Sequence, residues 1–220
     1  MTPAENSRSR YSANDVATSY DRVGDAYYQY FRTRPSEVVE RYESLFIDRN
    51  PTGATVLELG CGNGLPMTAK LIDKFEVTAV DVSQKQIARA RKNAPGARYL
   101  CADMSTLALP EAAFDGIGAL YSIIHVPREH HAELFHSIFS WLKPGGLFVA
   151  TLNSSAEESH LEEDWFGAPM YWSSYGADTY RKLVAQVGFT LESDRVEVSD
   201  DPEIAGEKEI HLWIVARKPG

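Results

Sequence analysis

Three glycines at alternate positions follow a short apolar run in this sequence. Residues 55–59 (Thr-Val-Leu-Glu-Leu) predict a β-strand, and residues 60–64 read Gly-Cys-Gly-Asn-Gly. Glycine has no Cβ, so it tolerates positive φ and lets backbone N–H groups approach a ligand closely. An ordinary strand-to-helix turn is the alternative, but it rarely needs three such residues. The loop therefore indicates a site for a nucleotide-type ligand.

Acidic residues end the next two predicted strands. Asp81 closes the second strand, where a carboxylate can accept hydrogen bonds from both hydroxyls of a ribose. Ser83 already supplies the helix cap that would otherwise explain Asp81. Asp103 closes the third strand, where it can accept a proton from an exocyclic amine while Met104 packs on the adenine ring. Three neighbouring strand ends thus carry groups that suit a nucleoside.

The glycine spacing separates the candidate cofactors. A dinucleotide fingerprint has glycines at the first, third and sixth positions. Counting from Gly60, the sixth position is Leu65, and the third glycine comes one residue early at Gly64. We expect Glu58, beneath the loop, to repel a diphosphate and to attract a sulfonium cation that carries an ammonium group. The sequence therefore favours a positively charged thioether nucleoside.

Predicted strands alternate with helices between residues 55 and 151. This alternation is typical of βαβ units, so the predicted fold class is α/β, a Rossmann-like three-layer sandwich with a mostly parallel sheet. The alternation stops near the end, where residues 189–198 and 209–217 are both β-rich. The acidic loop 200–203 joins them, so they should pair as an antiparallel hairpin.

The chain is expected to form one domain over residues 13–220, after a flexible tail at residues 1–12. Residues 13–50 predict a helical lid, with the helix over 13–31 interrupted by Gly24. Residues 153–175 predict a substrate-loop insertion after the fifth strand. A helix is expected from Pro127 to Leu142.

Composition limits the classes of partner. The 220 residues carry a formal net charge of -9 and no dense Lys/Arg run, which disfavours nucleic acid. No signal peptide or 18-residue apolar stretch is evident, and Cys61 and Cys101 suit reduced thiols, so a cytoplasmic protein without a membrane partner is expected. The histidines are scattered, and no metal site is predicted. A monomer or a homodimer is expected.

Taken together, these motifs resemble the class I S-adenosylmethionine-dependent methyltransferases, in the small-molecule branch similar to methyltransferase types 11 and 25. The residues that carry the resemblance lie at 56–64, 80–83, 102–104, 114–115, 122–126, 142–148 and 188–189. The resemblance covers about residues 13–217. It implies a seven-stranded sheet whose last strand is antiparallel, S-adenosyl-L-methionine as the cofactor and S-adenosyl-L-homocysteine as the product.

The resemblance also implies roles for individual residues. The residues expected to bind the cofactor are Gly60, Cys61 and Gly62 at the methionine portion, Glu58 beneath it, Asp81 at the ribose, Val82, Asp103 and Met104 at the adenine, and Tyr121 and Ser122 near the sulfur and methyl. The N-terminal helix resembles a lid, in which Tyr20 faces the cofactor and Tyr27 the substrate.

The residues that contact the methyl acceptor are predicted from weaker sequence patterns than the cofactor residues. His125, after the fourth strand, is the candidate catalytic base, although a histidine before Val-Pro often only tethers a loop. His130 and His131 are expected to be solvated. Trp165, Tyr171 and Trp172 are candidate walls of an apolar acceptor pocket, with packing at the sheet edge as the alternative.

The predicted function is methyl transfer from S-adenosylmethionine to the oxygen, nitrogen or carbon of a small molecule, a specialised metabolite. Three alternatives stay open. They are a protein or peptide methyltransferase, a cofactor-binding protein that has lost catalysis, and a nicotinamide-dependent dehydrogenase.

Overall fold

The computed structural model describes residues 12–34, 36–198 and 210–220. Most of the predicted tail and the acidic loop at 200–203 lie outside these ranges. The helices are α1 (Ala13–Arg32), α2 (Glu37–Arg49), α3 (Met67–Leu71), α4 (Gln84–Asn93), α5 (His131–Trp141) and α6 (Ala177–Val187). The strands are β1 (Thr55–Leu59), β2 (Glu76–Asp81), β3 (Arg98–Cys101), β4 (Phe114–Ala119), β5 (Leu142–Asn153), β6 (Glu157–Trp165), β7 (Ala168–Ser174), β8 (Thr190–Val198) and β9 (Ile210–Arg217).

Seven strands form one sheet in the order β3-β2-β1-β4-β5-β9-β8. β1 to β5 pair in parallel, and β9 is antiparallel to both β5 and β8. The predicted antiparallel hairpin at the end of the chain and the seven-stranded sheet are thus confirmed. Because the order reverses at β1, the carboxyl ends of β1 and β4 open the crevice where ligands of such sheets bind.

Both faces of the sheet are covered by helices. On one face, Phe135 and Ile138 of α5 and Tyr180 of α6 pack on Phe148 of β5. On the other face, the ring of Tyr42 in α2 stacks on Trp213 of β9, with 4.2 Å between ring centroids. This arrangement confirms the predicted α/β sandwich.

Two helices differ from the sequence-based expectation. α1 runs without a break through Gly24, where the end of the Arg89 side chain from α4 lies 2.4 Å from the position that a Cβ would take. Gly24 therefore serves helix contact and not helix termination. α5 begins at His131 and not at Pro127, because Pro127 has an extended ψ of 129° and two short 3-10 turns precede the helix.

The predicted loop insertion contains a β-hairpin. β6 and β7 pair antiparallel as a separate two-stranded sheet. β6 is mostly acidic and exposed, so its composition is not typical of a β-strand. Its partner β7 supplies the apolar side, since Met170 and Tyr171 are buried in one cluster with Val16 and Val23 of α1.

None of the helices among the described residues combines the length and the apolar character needed to cross a bilayer.

Candidate active site

A cavity of about 1600 Å³ lies above the carboxyl ends of β1, β2 and β4. Residues of α1 and of the β6–β7 hairpin contribute to its walls. The predicted site residues that line it are Tyr20, Tyr27, Glu58, Gly60, Cys61, Gly62, Asp81, Val82, Asp103, Met104, Tyr121, Ser122, His125, Trp165 and Trp172. Tyr171 is not among its lining residues. The cavity thus brings together both the predicted cofactor side and most of the predicted acceptor side.

The glycine loop is tied to β2 through its backbone. The amides of Gly60 and Cys61 both donate to the carbonyl of Val80, at 2.8 and 2.9 Å. The amide of Gly62 donates to Oδ2 of Asp81 at 2.8 Å. The loop and the acidic strand end therefore form one rigid unit at the cavity floor.

The three glycines of the loop serve different purposes. A Cβ on Gly60 would lie 2.2 Å from Cβ of Ser122, and a Cβ on Gly64 would lie 3.1 Å from Cα of Ala90 in α4. A Cβ on Gly62 would meet nothing within 4 Å, although its φ of 53° still favours glycine. Of these three glycines, Gly62 alone has open space where a Cβ would lie.

We expect Gly60→Ala to lower the free energy of unfolding by about 2–5 kcal/mol, because overpacking adds to the cost of a left-handed conformation. The matched variant Gly62→Ala should lose only about 1–2 kcal/mol, from its conformation alone. Urea unfolding of both proteins measures the difference. Equal losses would contradict the assignment of Gly60 to packing.

Asp81 is half-buried and holds two backbone groups. Its Oδ1 accepts from the amide of Ser83 at 2.9 Å, in addition to the bond from Gly62. Burial raises the pKa of Asp81 to about 6, while the two amides act in the opposite direction. The carboxylate is therefore ionised at neutral pH. Ser83 also caps α4 by accepting from the amide of Gln86, as predicted.

Glu58 departs from its predicted electrostatic behaviour. Its side chain is buried, and Oε2 accepts from the hydroxyl of Thr68 at 2.6 Å. Burial raises the pKa of Glu58 to about 8, so the carboxyl is mostly protonated at pH 7. The expected repulsion of a diphosphate by a Glu58 charge does not follow from this structure, and the argument for the cofactor rests on the loop and on Asp81.

Asp103 lies in a turn after β3. Its Oδ1 accepts from both the amide and the hydroxyl of Ser105, each at 2.8 Å. Met104 and Val82 are half-buried and line the same part of the cavity. A carboxylate edge beside two apolar side chains suits a flat base with an exocyclic amine.

The helix α1 is fastened to the cavity from above. Asp21 accepts from the hydroxyl of Ser83 at 2.5 Å and from the amide of Lys85 at 3.3 Å. The hydroxyl of Ser19 donates to the carbonyl of Pro169 in β7. α1 therefore bridges the end of β2 and the hairpin. Sequence reasoning missed Asp21. Its only signal is that it follows Tyr20 directly in the predicted helix.

His125 has a fixed tautomer. Its Nδ1 lies 2.8 Å from the carbonyl oxygen of Tyr171, which can only accept, so Nδ1 carries the proton. Burial lowers the pKa of His125 to about 4, so the ring is neutral. Nε2 then has a free lone pair and accepts the hydroxyl proton of Tyr20 at 2.8 Å. Burial also raises the pKa of Tyr20 well above its usual value, so this hydroxyl stays protonated.

His131 is fully buried, so the prediction that it is solvated was wrong. Its Nε2 lies 2.8 Å from the carbonyl oxygen of Val126, and its Nδ1 lies 3.0 Å from the hydroxyl of Tyr180. These bonds hold the loop that carries His125. His131 itself is not among the residues that line the cavity. His130 is exposed, as expected.

The aromatic residues of the hairpin include residues that pack under α1 and residues that line the cavity. Trp165 is only 4% exposed and packs with Tyr171, which is 7% exposed, in the cluster beneath α1. Trp165 and Trp172 also line the cavity. Tyr171 contributes its carbonyl to His125 and its ring to packing, so the structure does not place it as a wall.

Tyr121 is held in a strained backbone conformation at the end of β4. Its φ is 52°, in the left-handed region that non-glycine residues rarely adopt. Its ring lies edge-on to His211, with 4.9 Å between centroids. The hydroxyl of the next residue, Ser122, donates to the carbonyl of Leu59 at 2.7 Å. These contacts keep the end of β4 against the glycine loop.

The cavity fits an adenosine-type thioether cofactor. Gly62 leaves open space beside its backbone, and the strand ends supply acceptors in Asp81 and Asp103. Lys70, whose ammonium group bonds Glu43 at 2.5 Å, lines the cavity together with Arg32 and Arg34. Asp81 could hold a ribose in either class of cofactor, so the glycine spacing is the feature that disfavours a diphosphate.

Comparisons with known proteins agree with this geometry. Residues 56–146 match the family described as a methyltransferase domain. The chain is 30% identical over 166 residues to a trans-aconitate 2-methyltransferase of Variovorax paradoxus, and the alignment covers 73% of this chain and 61% of the relative. The chain therefore spans less than two thirds of that relative's length.

Solved structures share the fold. A 1,6-didemethyltoxoflavin-N1-methyltransferase of Burkholderia thailandensis, solved with bound 1,6-didemethyltoxoflavin and S-adenosylhomocysteine, aligns with a TM-score of 0.67 and 22% identity over 100% of this chain and 92% of its own. The [4+2]-cyclase SpnF aligns with a TM-score of 0.73 and 19% identity over 95% of this chain and 97% of its own. Residues 56–146 thus match a methyltransferase domain, and the seven-stranded sheet of the chain has the fold of the S-adenosylmethionine-dependent methyltransferases of the class I type.

Proposed function

We propose that the protein binds S-adenosylmethionine over the unit formed by Gly62 and Asp81 and transfers its methyl group to a small molecule. The observation that carries this proposal is the 2.8 Å bond from the Gly62 amide to Asp81, at an open part of the cavity floor. Within one domain over residues 13–220, we assign residues 13–50 as the lid and residues 153–175 as the acceptor-side insertion.

The same proposal assigns the cofactor contacts. The residues are Gly60, Cys61, Gly62 and Glu58 for the methionine portion, Asp81 for the ribose, Val82, Asp103 and Met104 for the adenine, and Tyr20, Tyr121 and Ser122 for the sulfur and methyl. When bound, S-adenosylmethionine supplies an electrophilic methyl group. The chain then has to align the acceptor and exclude water, which the α1 lid and the hairpin are positioned to do.

We propose that His125 acts through Tyr20. Because Nε2 of His125 accepts the phenolic proton, the lone pairs of the Tyr20 oxygen are left for a ligand in the cavity. A direct general-base role for His125 would require Tyr20 to move away from Nε2. In this arrangement His125 orients the hydroxyl of Tyr20, and that hydroxyl contacts the acceptor.

A small molecule is the acceptor class that this geometry supports over a peptide or nucleic acid. The lid is bonded to both sides of the cavity through Asp21 and Ser19, and the net charge of -9 disfavours a polyanion. Aromatic walls support a specialised metabolite with an apolar body. Cys61 and Cys101 are free thiols, which supports a cytoplasmic setting.

A mass-spectrometric screen tests the proposal. The full chain is incubated with S-adenosylmethionine and metabolite libraries, and a product about 14 Da heavier than its substrate is sought. We expect at least one methylated small molecule together with S-adenosylhomocysteine. Tight cofactor binding without turnover of any acceptor would favour a role other than methyl transfer, and the cyclase of the same fold is named for a different activity.

For the acceptor found, we expect Trp172→Ala to raise the KM of the acceptor more than the KM of the cofactor, because Trp172 lines the cavity beside His125, with 4.6 Å between ring centroids. Phe166→Ala is the control, since Phe166 packs on Trp165 but is not among the lining residues. Steady-state kinetics decide the point. An equal rise in both KM values would reassign Trp172 to packing.

A further inference from the structure

The wall of the cavity around His125 is built from aromatic rings. Tyr20 stands edge-on to Trp165 at 5.7 Å and 79°, and Trp165 stands edge-on to Trp172 at 5.6 Å and 82°. Tyr27 is edge-on to Tyr20 at 5.9 Å. In an edge-on pair, one ring presents its edge to the other, and the ring faces that no neighbour covers are electron-rich. Such a face attracts a cation that lies within about 6 Å.

The hydrogen bonds of His125 make the Tyr20 oxygen an acceptor toward a ligand in the cavity. The proton on Nδ1 of His125 is held by the Tyr171 carbonyl, so Tyr20 must donate to Nε2. The Tyr20 hydroxyl proton is therefore used, and its oxygen can only accept from a ligand. The wall consequently matches a ligand that donates hydrogen bonds or carries positive charge.

The charged residues on this side of the cavity are acidic. Glu129 and Glu133 follow His125 in the chain, while Glu157 and Glu162 come from β6, and all four line the cavity. Glu162 lies two residues beyond His160, the cross-strand partner of Trp172. These carboxylates would repel an anionic acceptor and favour a cationic product.

The basic residues that line the cavity lie at the C-terminal end of α1 and in α3. Arg32 and Arg34 lie at and just after the end of α1, and Lys70 lies in α3, paired with Glu43. Arg34 stacks 3.9 Å from the centroid of Tyr30 and donates to its carbonyl. Arg128, although close to His125 in sequence, bonds Glu158 at 3.3 Å and does not line the cavity.

We propose that the acceptor is an amine on an apolar body and that it is methylated on nitrogen. This inference rests on the proposed function and names its substrate class. An amine that arrives as its ammonium ion first gives one proton to water. The nitrogen lone pair then forms the bond to the methyl carbon, and the carbon–sulfur bond breaks with its electron pair left on sulfur. Positive charge thus moves from sulfur to nitrogen, and any N–H proton leaves to water.

The aromatic faces and the glutamates stabilise that charge where it arises. A carboxylate acceptor would instead need a cation to hold it, and among the described residues this wall supplies no Lys or Arg side chain. An alcohol needs a base to take its proton during the transfer itself, and Nε2 of His125 is engaged by Tyr20, whereas an amine is nucleophilic as soon as it is neutral. The amine is therefore the acceptor that this set of groups recognises.

Binding of matched probes tests the inference. With the full chain and saturating S-adenosylhomocysteine, dissociation constants are measured by NMR titration for phenethylamine, N,N-dimethylphenethylamine, 2-phenylethanol and 3-phenylpropanoate. We expect both amines to bind at least tenfold more tightly than the alcohol and the carboxylate. We also expect Glu162→Gln to weaken amine binding three- to fivefold and to leave the alcohol unchanged. Glu163→Gln is the control, because Glu163 is exposed and outside the cavity lining.

The possible outcomes separate the two proposals. Three results would overturn the amine inference alone, provided that S-adenosylhomocysteine binds. They are equal affinities of the protein for the amines and the alcohol, tighter binding of the carboxylate than of the amines, and no binding of any probe. Failure of S-adenosylhomocysteine to bind would overturn the proposed function and this inference with it.

Discussion

Replacing Asp81 with alanine is expected to weaken the binding of S-adenosylhomocysteine by roughly 1.5–3 kcal/mol, the range for hydrogen bonds to a charged group. This corresponds to a rise in Kd of about ten- to hundredfold. Asp81 is ionised at neutral pH and lines the cavity, and it also holds the amides of Gly62 and Ser83. The substitution therefore removes a ligand acceptor and loosens the loop that meets the ligand.

Two further variants separate these contributions. Asp81→Asn keeps one acceptor oxygen and should lose less affinity than the alanine variant. Asp73→Ala removes an exposed carboxylate outside the cavity lining and should leave Kd unchanged. Isothermal titration measures all three proteins, and a Kd for Asp81→Ala within twofold of the parent would remove the ribose assignment.

A double-mutant cycle on Tyr20 and His125 is expected to show strong coupling. Tyr20→Phe and His125→Ala should each lower kcat/KM for the acceptor about five- to hundredfold, which corresponds to roughly 1–3 kcal/mol for leaving a buried hydrogen-bond partner unsatisfied. The double variant should lose little more than either single one, because His125 acts through the Tyr20 hydroxyl at 2.8 Å. Additive losses would instead indicate that His125 acts on its own.

The pair formed by Tyr180 and His131 is the matched control. It is also a buried tyrosine–histidine hydrogen bond, at 3.0 Å, but it lies outside the cavity lining. Tyr180→Phe should lower thermal stability and leave affinity for S-adenosylhomocysteine close to that of the parent. A loss of activity in Tyr180→Phe as large as in Tyr20→Phe would mean that the effect at Tyr20 is only structural.

The central sheet could be predicted from the sequence because its strands are short apolar runs that end in glycine or aspartate. β1 matches the expected range, β2 ends at Asp81 as expected, and Ser83 caps its helix as expected. The β6–β7 hairpin could not be predicted in this way. β6 is acidic, and what stabilises it is pairing with β7 and burial of β7 side chains under α1.

The site could be predicted where neighbouring residues carry the signal. The glycine loop and Asp81 lie at adjacent strand ends, and they meet in the cavity. The contact between Tyr20 and His125 joins residues that are 105 positions apart, so no local pattern reveals it. The protonation of Glu58 also escaped prediction, because it depends on burial that the sequence does not display.

Isothermal titration of the full chain with S-adenosylhomocysteine, and separately with NAD⁺, tests the central claim most directly. The account predicts saturable binding of S-adenosylhomocysteine at one site per chain and no measurable binding of NAD⁺. Tight binding of NAD⁺ together with no binding of S-adenosylhomocysteine would contradict it, because the unit formed by Gly62 and Asp81 would then serve a diphosphate ligand.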